Sequence, residues 1–186
     1  MLEPNRKKLR ISVERVVVLL VLLVCFQVAA ISLNTQKESP AGPIKDGVGV
    51  GEILIGVSTA ADVETRHGTK YILKNMNDYS YRMDYTDSEV AFYYCHQDPK
   101  KKIFLVEVHD GLTSRGIIIG KSTVKDVVAI YGEKSGGSDR ILEYPGIQFY
   151  FETRTEAEAK DDALAMQRKV IEVDIVAPDK SSNFCD

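Results

Sequence analysis

Tryptophan is absent from this 186-residue chain, and cysteine and histidine occur three times each. So few cysteines exclude a small scaffold stapled by disulfides. Basic residues are not in surplus: the net charge is −3. A nucleic-acid surface, which needs clustered Lys and Arg, is therefore not expected. Long uncharged apolar runs are missing too, with one exception near the N-terminus. What remains is ordinary for a globular protein, with 44% apolar and 27% charged residues. The length allows one domain plus a targeting segment, or two small repeats.

The exception is VVVLLVLLVCFQVAAISL, residues 16–33, interrupted only by Gln27 and Ser32. Residues 1–15 before it carry Arg6, Lys7, Lys8, Arg10 and Arg15 against Glu3 and Glu14. A basic flank ahead of an apolar run keeps the N-terminus in the cytoplasm and sends the rest across the membrane. Two readings stay open. An uncleaved transmembrane anchor uses the whole run, and a cleaved signal peptide uses Val28-Ala29-Ala30 as its small-residue site. The first gives a single-pass membrane protein with an extracytoplasmic C-terminal domain, the second a secreted one. Val24 ahead of Cys25 argues against a lipid anchor. Outside the cytoplasm disulfides are permitted. Cys95 and Cys185 are the candidates, the alternative being two unpaired thiols.

Residues 34–51 are rich in Pro, Gly and polar side chains and read as a flexible linker. An internal repeat follows. EILIGVSTAADVETRHGTK (52–70) aligns without a gap on GIIIGKSTVKDVVAIYGEK (116–134), a shift of 64. Gly56, Ser58, Thr59, Asp62, Val63 and Gly68 meet Gly120, Ser122, Thr123, Asp126, Val127 and Gly132. After each copy come three β-branched or aromatic runs. They are 79–85, 90–97 and 103–110, then 139–144, 147–154 and 169–178. The expected fold is α+β. Two tandem helix–three-strand units, 52–114 and 115–178, form an antiparallel sheet with helices on one face, followed by a tail, 179–186. TEAEAKDDALAMQR (155–168) is an insertion in the second unit, either a helix or a charged loop.

Alternation assigns faces. Phe92, Tyr94, Val106, Val108, Phe149, Phe151, Ile171 and Val173 are expected in the core. Arg82, Asp84, Tyr93, Cys95, Glu107, His109, Gln148, Tyr150, Glu152, Glu172 and Asp174 fall on the other face, which is expected to stay open to water.

Gly120-Lys121-Ser122-Thr123 looks like the end of a phosphate-binding loop. That loop needs a glycine at 115, where Arg115 stands, and Ile117, Ile118 and Ile119 are too bulky for a tight cradle. No nucleotide is expected. Thr59-x-x-Asp62 and Thr123-x-x-Asp126 instead fit capping boxes that start helices, which Gly68 and Gly132 would end. His67 stands where the second copy has Tyr131 and reads as a packing residue. Glu107 and His109 point the same way, and Asp174 holds the place equivalent to His109. A metal site there is conceivable. Exposed Glu and His are common on strands, so no metal and no cofactor is assigned. No Ser/His/Asp or Cys/His arrangement stands out, so no catalytic residue is named and no enzyme is expected.

The segment Ile-x-Ile-Gly-x-Ser-Thr-x-x-Asp-Val-x-x-x-x-Gly, followed by three strands, resembles repeats of the β-lactamase-inhibitor-protein-like fold. It is also similar to small outer-membrane assembly lipoproteins, over about residues 52–178. The resemblance implies a non-enzymatic, protein-binding role, one of these families using a concave sheet made by tandem units. β-Lactamase inhibition is not carried over. The expectation is a membrane-held binding module for a protein partner or an envelope component. Tyr93, Tyr150, Gln148 and Arg82 are its candidate contact residues, since tyrosine brings large contact area at low entropy cost. A secreted enzyme inhibitor or enzyme is the alternative, and a metal-responsive module a third class.

Overall fold

Residues 42–76, 78–178 and 185 are described by the structure, a computed structural model. The basic flank, the apolar run 16–33, residues 34–41 and most of the tail lie outside them. Among the described residues no helix is long and apolar enough to cross a membrane.

Eight strands make the main sheet, all antiparallel. They are β4 (Ile72–Asn75), β5 (Ser80–Tyr85), β6 (Val90–Cys95), β7 (Ile103–Val108), β8 (Gly136–Gly137), β9 (Ile141–Tyr144), β10 (Ile147–Phe151) and β11 (Val170–Val176). Their order is β4-β5-β6-β7-β11-β10-β9-β8. A second, three-stranded sheet holds β1 (Ile44–Lys45), β2 (Gly49–Val50) and β3 (Ile53–Leu54). Among the described residues three short α-helices, α1 (Ala60–His67), α2 (Val124–Tyr131) and α3 (Asp162–Ala165), and one 3-10 turn (Thr86–Ser88) complete the fold.

This overturns the expected pair of helix–three-strand units. The molecule is mostly β, and its strands merge into one sheet because β7 pairs with β11. β4 and β8 add strands that the side-chain pattern hides. Ile72-Leu73-Lys74-Asn75 does not alternate and is exposed throughout, and Gly136-Gly137 has no side chains to alternate. Residues 44–50, expected in the linker, form β1 and β2 instead. Ile44 and Val50 are fully buried in the core, but two-residue strands are too short for any period to show.

Both long helices start by the same local device. The Thr59 and Thr123 hydroxyls accept from the backbone N–H of Asp62 and Asp126, whose carboxylates accept from the backbone N–H of the two threonines at 2.8 Å. Gly68 and Gly132 end them at φ of 85° and 79°, where a side chain would be strained. Ser58 and Ser122 do parallel work, each accepting from the N–H four residues earlier. The capping-box reading of 120–123 is therefore the observed one. Thr123→Ala should cost about 1 kcal/mol in urea unfolding, with the native far-UV spectrum retained; no change would remove the cap from the list of stabilising contacts.

Helix and sheet meet through aromatic rings. His67 packs on Phe92 with centroids 5.0 Å apart, and Tyr131 packs on Phe149 at 4.9 Å. Burial, with the Arg66 charge, holds the His67 imidazole below its ordinary pKa. Phe92, Phe149 and Phe151 are the largest fully buried side chains. Ile171, expected beside them, is 38% exposed. The register explains it: Tyr150 pairs with Glu172 and Phe151 with Val170, so Ile171 is the extra residue of a bulge. Val170 takes the core place.

Candidate functional site

The face of the sheet opposite Phe92 and Phe149 is polar, and five adjacent strands supply it. β5 brings Arg82 and Asp84, β6 Tyr93, β7 Glu107, β11 Glu172 and Asp174, and β10 Gln148 and Tyr150. His109 follows directly on β7. Cross-strand pairing sets the neighbours: Arg82 lies opposite Tyr93, Glu107 opposite Asp174, Asp174 opposite Gln148, and Glu172 opposite Tyr150. Partners opposite one another share a face.

The centre of this face is closed, which corrects the expectation of a face open to water. Asp84, Glu107 and Asp174 are 8%, 7% and 6% exposed. Cys95, expected to point outward, is buried as well and is bonded to Cys185. Long side chains shield the short ones. Arg82 donates to both Glu107 oxygens, from Nη2 at 2.7 Å and from Nη1 at 3.1 Å. Its Nη1 also donates to the Tyr93 oxygen at 3.0 Å, and the Tyr93 hydroxyl donates to Glu107 at 2.5 Å. Lys74 on the edge strand β4 pairs with Asp84. The Tyr150 hydroxyl donates to Gln148 Oε1 at 3.2 Å.

The four candidate contact residues thus share one face but fall into two sets. Arg82 and Tyr93 are bound to Glu107, while Tyr150 and Gln148 border Asp174. His109 reaches further than the sequence suggests. Its Nε2 lies 2.7 Å from Glu107 Oε1, and its Nδ1 lies 3.6 Å from Glu172 Oε2. Glu172 is the residue that sequence reasoning misplaced by pairing His109 with Asp174. Extending the β7–β11 register past Glu107–Asp174 brings Glu172 level with His109. Nothing in the sequence announces that those two strands are neighbours.

The electrostatics follow from burial and crowding. Burial acts to raise the Glu107 carboxyl, but hydrogen bonds from His109 and Tyr93 and the Arg82 charge outweigh it and hold it below the usual range. The hydrogen bond to Glu107 raises His109. Burial, then the charge of Glu107, pushes Glu172 up. Asp174 is pushed up to about 8, first by burial and then by Glu172 and Glu107, with the Tyr150 hydroxyl and the His109 ring working the other way. Burial and carboxylate neighbours keep Tyr93 and Tyr150 protonated.

A surface cavity of about 450 Å³ lies elsewhere, against α1, lined by Glu52, Ile53, Val57, Ser58, Asp62, Thr65 and Arg66. Ser58 Oγ is engaged there by the Leu54 N–H. Among the described residues no histidine lines this cavity to activate the serine as a nucleophile.

No family model matches the chain, and no curated protein matches it. Among solved structures it is similar to the uncharacterized protein yfeY from Escherichia coli, at 15% identity and a TM-score of 0.47. The match covers 72% of this chain and 99% of that one.

Proposed function

We propose that this protein is a non-catalytic binding module, held outside the cytoplasm by residues 16–33, that recognises a protein or envelope component through the polar face of its main sheet. The carrying observation is the continuous polar strip across five adjacent strands, whose side chains are already locked by mutual hydrogen bonds. A partner meeting such a strip finds groups that need little further ordering, which keeps the entropic cost of association low. Tyr93 and Tyr150 border the buried carboxylates and offer ring faces for contact. The Cys95–Cys185 disulfide supports an oxidising compartment.

The test is cross-linking of the anchored full chain in its own cells, followed by pull-down. Wild type is compared with Tyr93→Ala/Tyr150→Ala. Recovery of the cross-linked partner should fall about tenfold or more in the double variant, the scale expected for two central aromatic contacts. Unchanged recovery by a double variant with native circular dichroism rules out this face.

A further inference from the structure

We propose that Glu107, His109 and Glu172 form a binding site for a divalent transition metal of the zinc type, with the buried carboxylate of Asp174 beside them. One donor atom from each of the first three lies within 4.8 Å of the others. The second observation is independent of that cluster. Asp174 is 6% exposed, lies opposite Glu107 on the same face, and its Oδ1 has no hydrogen-bond partner among the described residues. A buried carboxylate oxygen left unpaired is costly unless a proton or a cation satisfies it.

The donor chemistry selects the ion. Imidazole nitrogen with carboxylate oxygens suits zinc and its neighbours better than calcium or magnesium, which favour oxygen ligands throughout. Arg82 donates to both oxygens of Glu107 and so fixes its orientation, the work that partners outside the ligand set do in built metal sites. Access is provided as well: the His109 side chain is 39% exposed while the Glu107 side chain is 9% exposed, so the cluster has a closed floor and an open rim.

Zinc is the probe. The full chain carrying Cys25→Ser, which removes the remaining thiol as a competing ligand, is stripped with a chelator and titrated calorimetrically with Zn²⁺. Binding of one equivalent at micromolar Kd or tighter is expected, with a rise in Tm. His109→Ala, Glu172→Gln and Asp174→Asn should each weaken it about tenfold or more. Cobalt(II) gives a readout besides affinity: its visible absorption should appear in the parent protein and vanish in His109→Ala. Because His109 lies at the rim and Glu172→Gln keeps its shape, at least one variant remains folded. Absence of a zinc-dependent Tm shift, or a shift that survives both His109→Ala and Glu172→Gln, overturns the site.

Discussion

In metal-free buffer, Asp174→Asn should be more stable than wild type by on the order of 5 kcal/mol at pH 8. The folded protein holds the Asp174 carboxyl at about 8, against 3.8 for an ordinary one. A raised folded pKa means that this group's contribution is fully present below about pH 4 and is lost as pH rises through about 8. At pH 8 the unfolded chain ionises the carboxyl freely, while the native state must either keep the proton or hold a buried charge beside Glu107 and Glu172. Asparagine keeps the shape and removes the choice. The variant's advantage should therefore be small at pH 4.5, grow across neutrality and level off above pH 8. Urea unfolding at three pH values reads it directly. A stability difference that does not change with pH would show that Asp174 titrates like an exposed carboxyl. The same substitution should weaken zinc, so stability and binding move in opposite directions, as is common where a site stores unfavourable charge.

Removing the disulfide should cost about 3–4 kcal/mol, or roughly 6–15 °C in Tm. Cys95 ends β6 in the middle of the chain, and Cys185 lies 90 residues further on. Chain-entropy reasoning assigns a loop of that length on the order of 4 kcal/mol, because the cross-link confines the unfolded ensemble. Cys95→Ala/Cys185→Ala unfolded in urea without reductant gives the number. A loss below about 1 kcal/mol would mean that the native state is strained by the bond or that the unfolded chain is already compact there.

How much of this was legible in the sequence depended on range. Helix starts were legible because a capping box is decided within four residues, and the twin Thr-x-x-Asp segments repeat at a fixed shift. Which side chains share the polar face was legible on β5, β6 and β7, where alternation is clean. Alternation failed at Ile171, where one bulged residue reverses the facing of everything before it. It failed again for strands of two residues and for β4, where backbone pairing rather than side-chain pattern makes the strand. The site depended most on what sequence does not carry. Glu172 reaches His109 because β7 and β11 are neighbours, and neighbour choice between distant strands is settled by packing of Val106, Val108, Val173 and Ile175. The closure of the polar face likewise arises from Arg82 folding over Glu107, which no spacing rule anticipates.

The strand order has a kinetic consequence. Every neighbouring pair in the eight-stranded sheet is consecutive in sequence except β7–β11. The consecutive pairs can zip as hairpins, whose loop-closure entropy is small, while the β7–β11 seam must bring together segments more than sixty residues apart. Glu107 and His109 stand on one side of that seam, and Glu172 and Asp174 on the other. The carboxylate cluster therefore exists only after the slowest contact in the sheet has formed. Partly folded chains present hairpins without it, and a ligand of the cluster selects molecules in which the two halves have already joined.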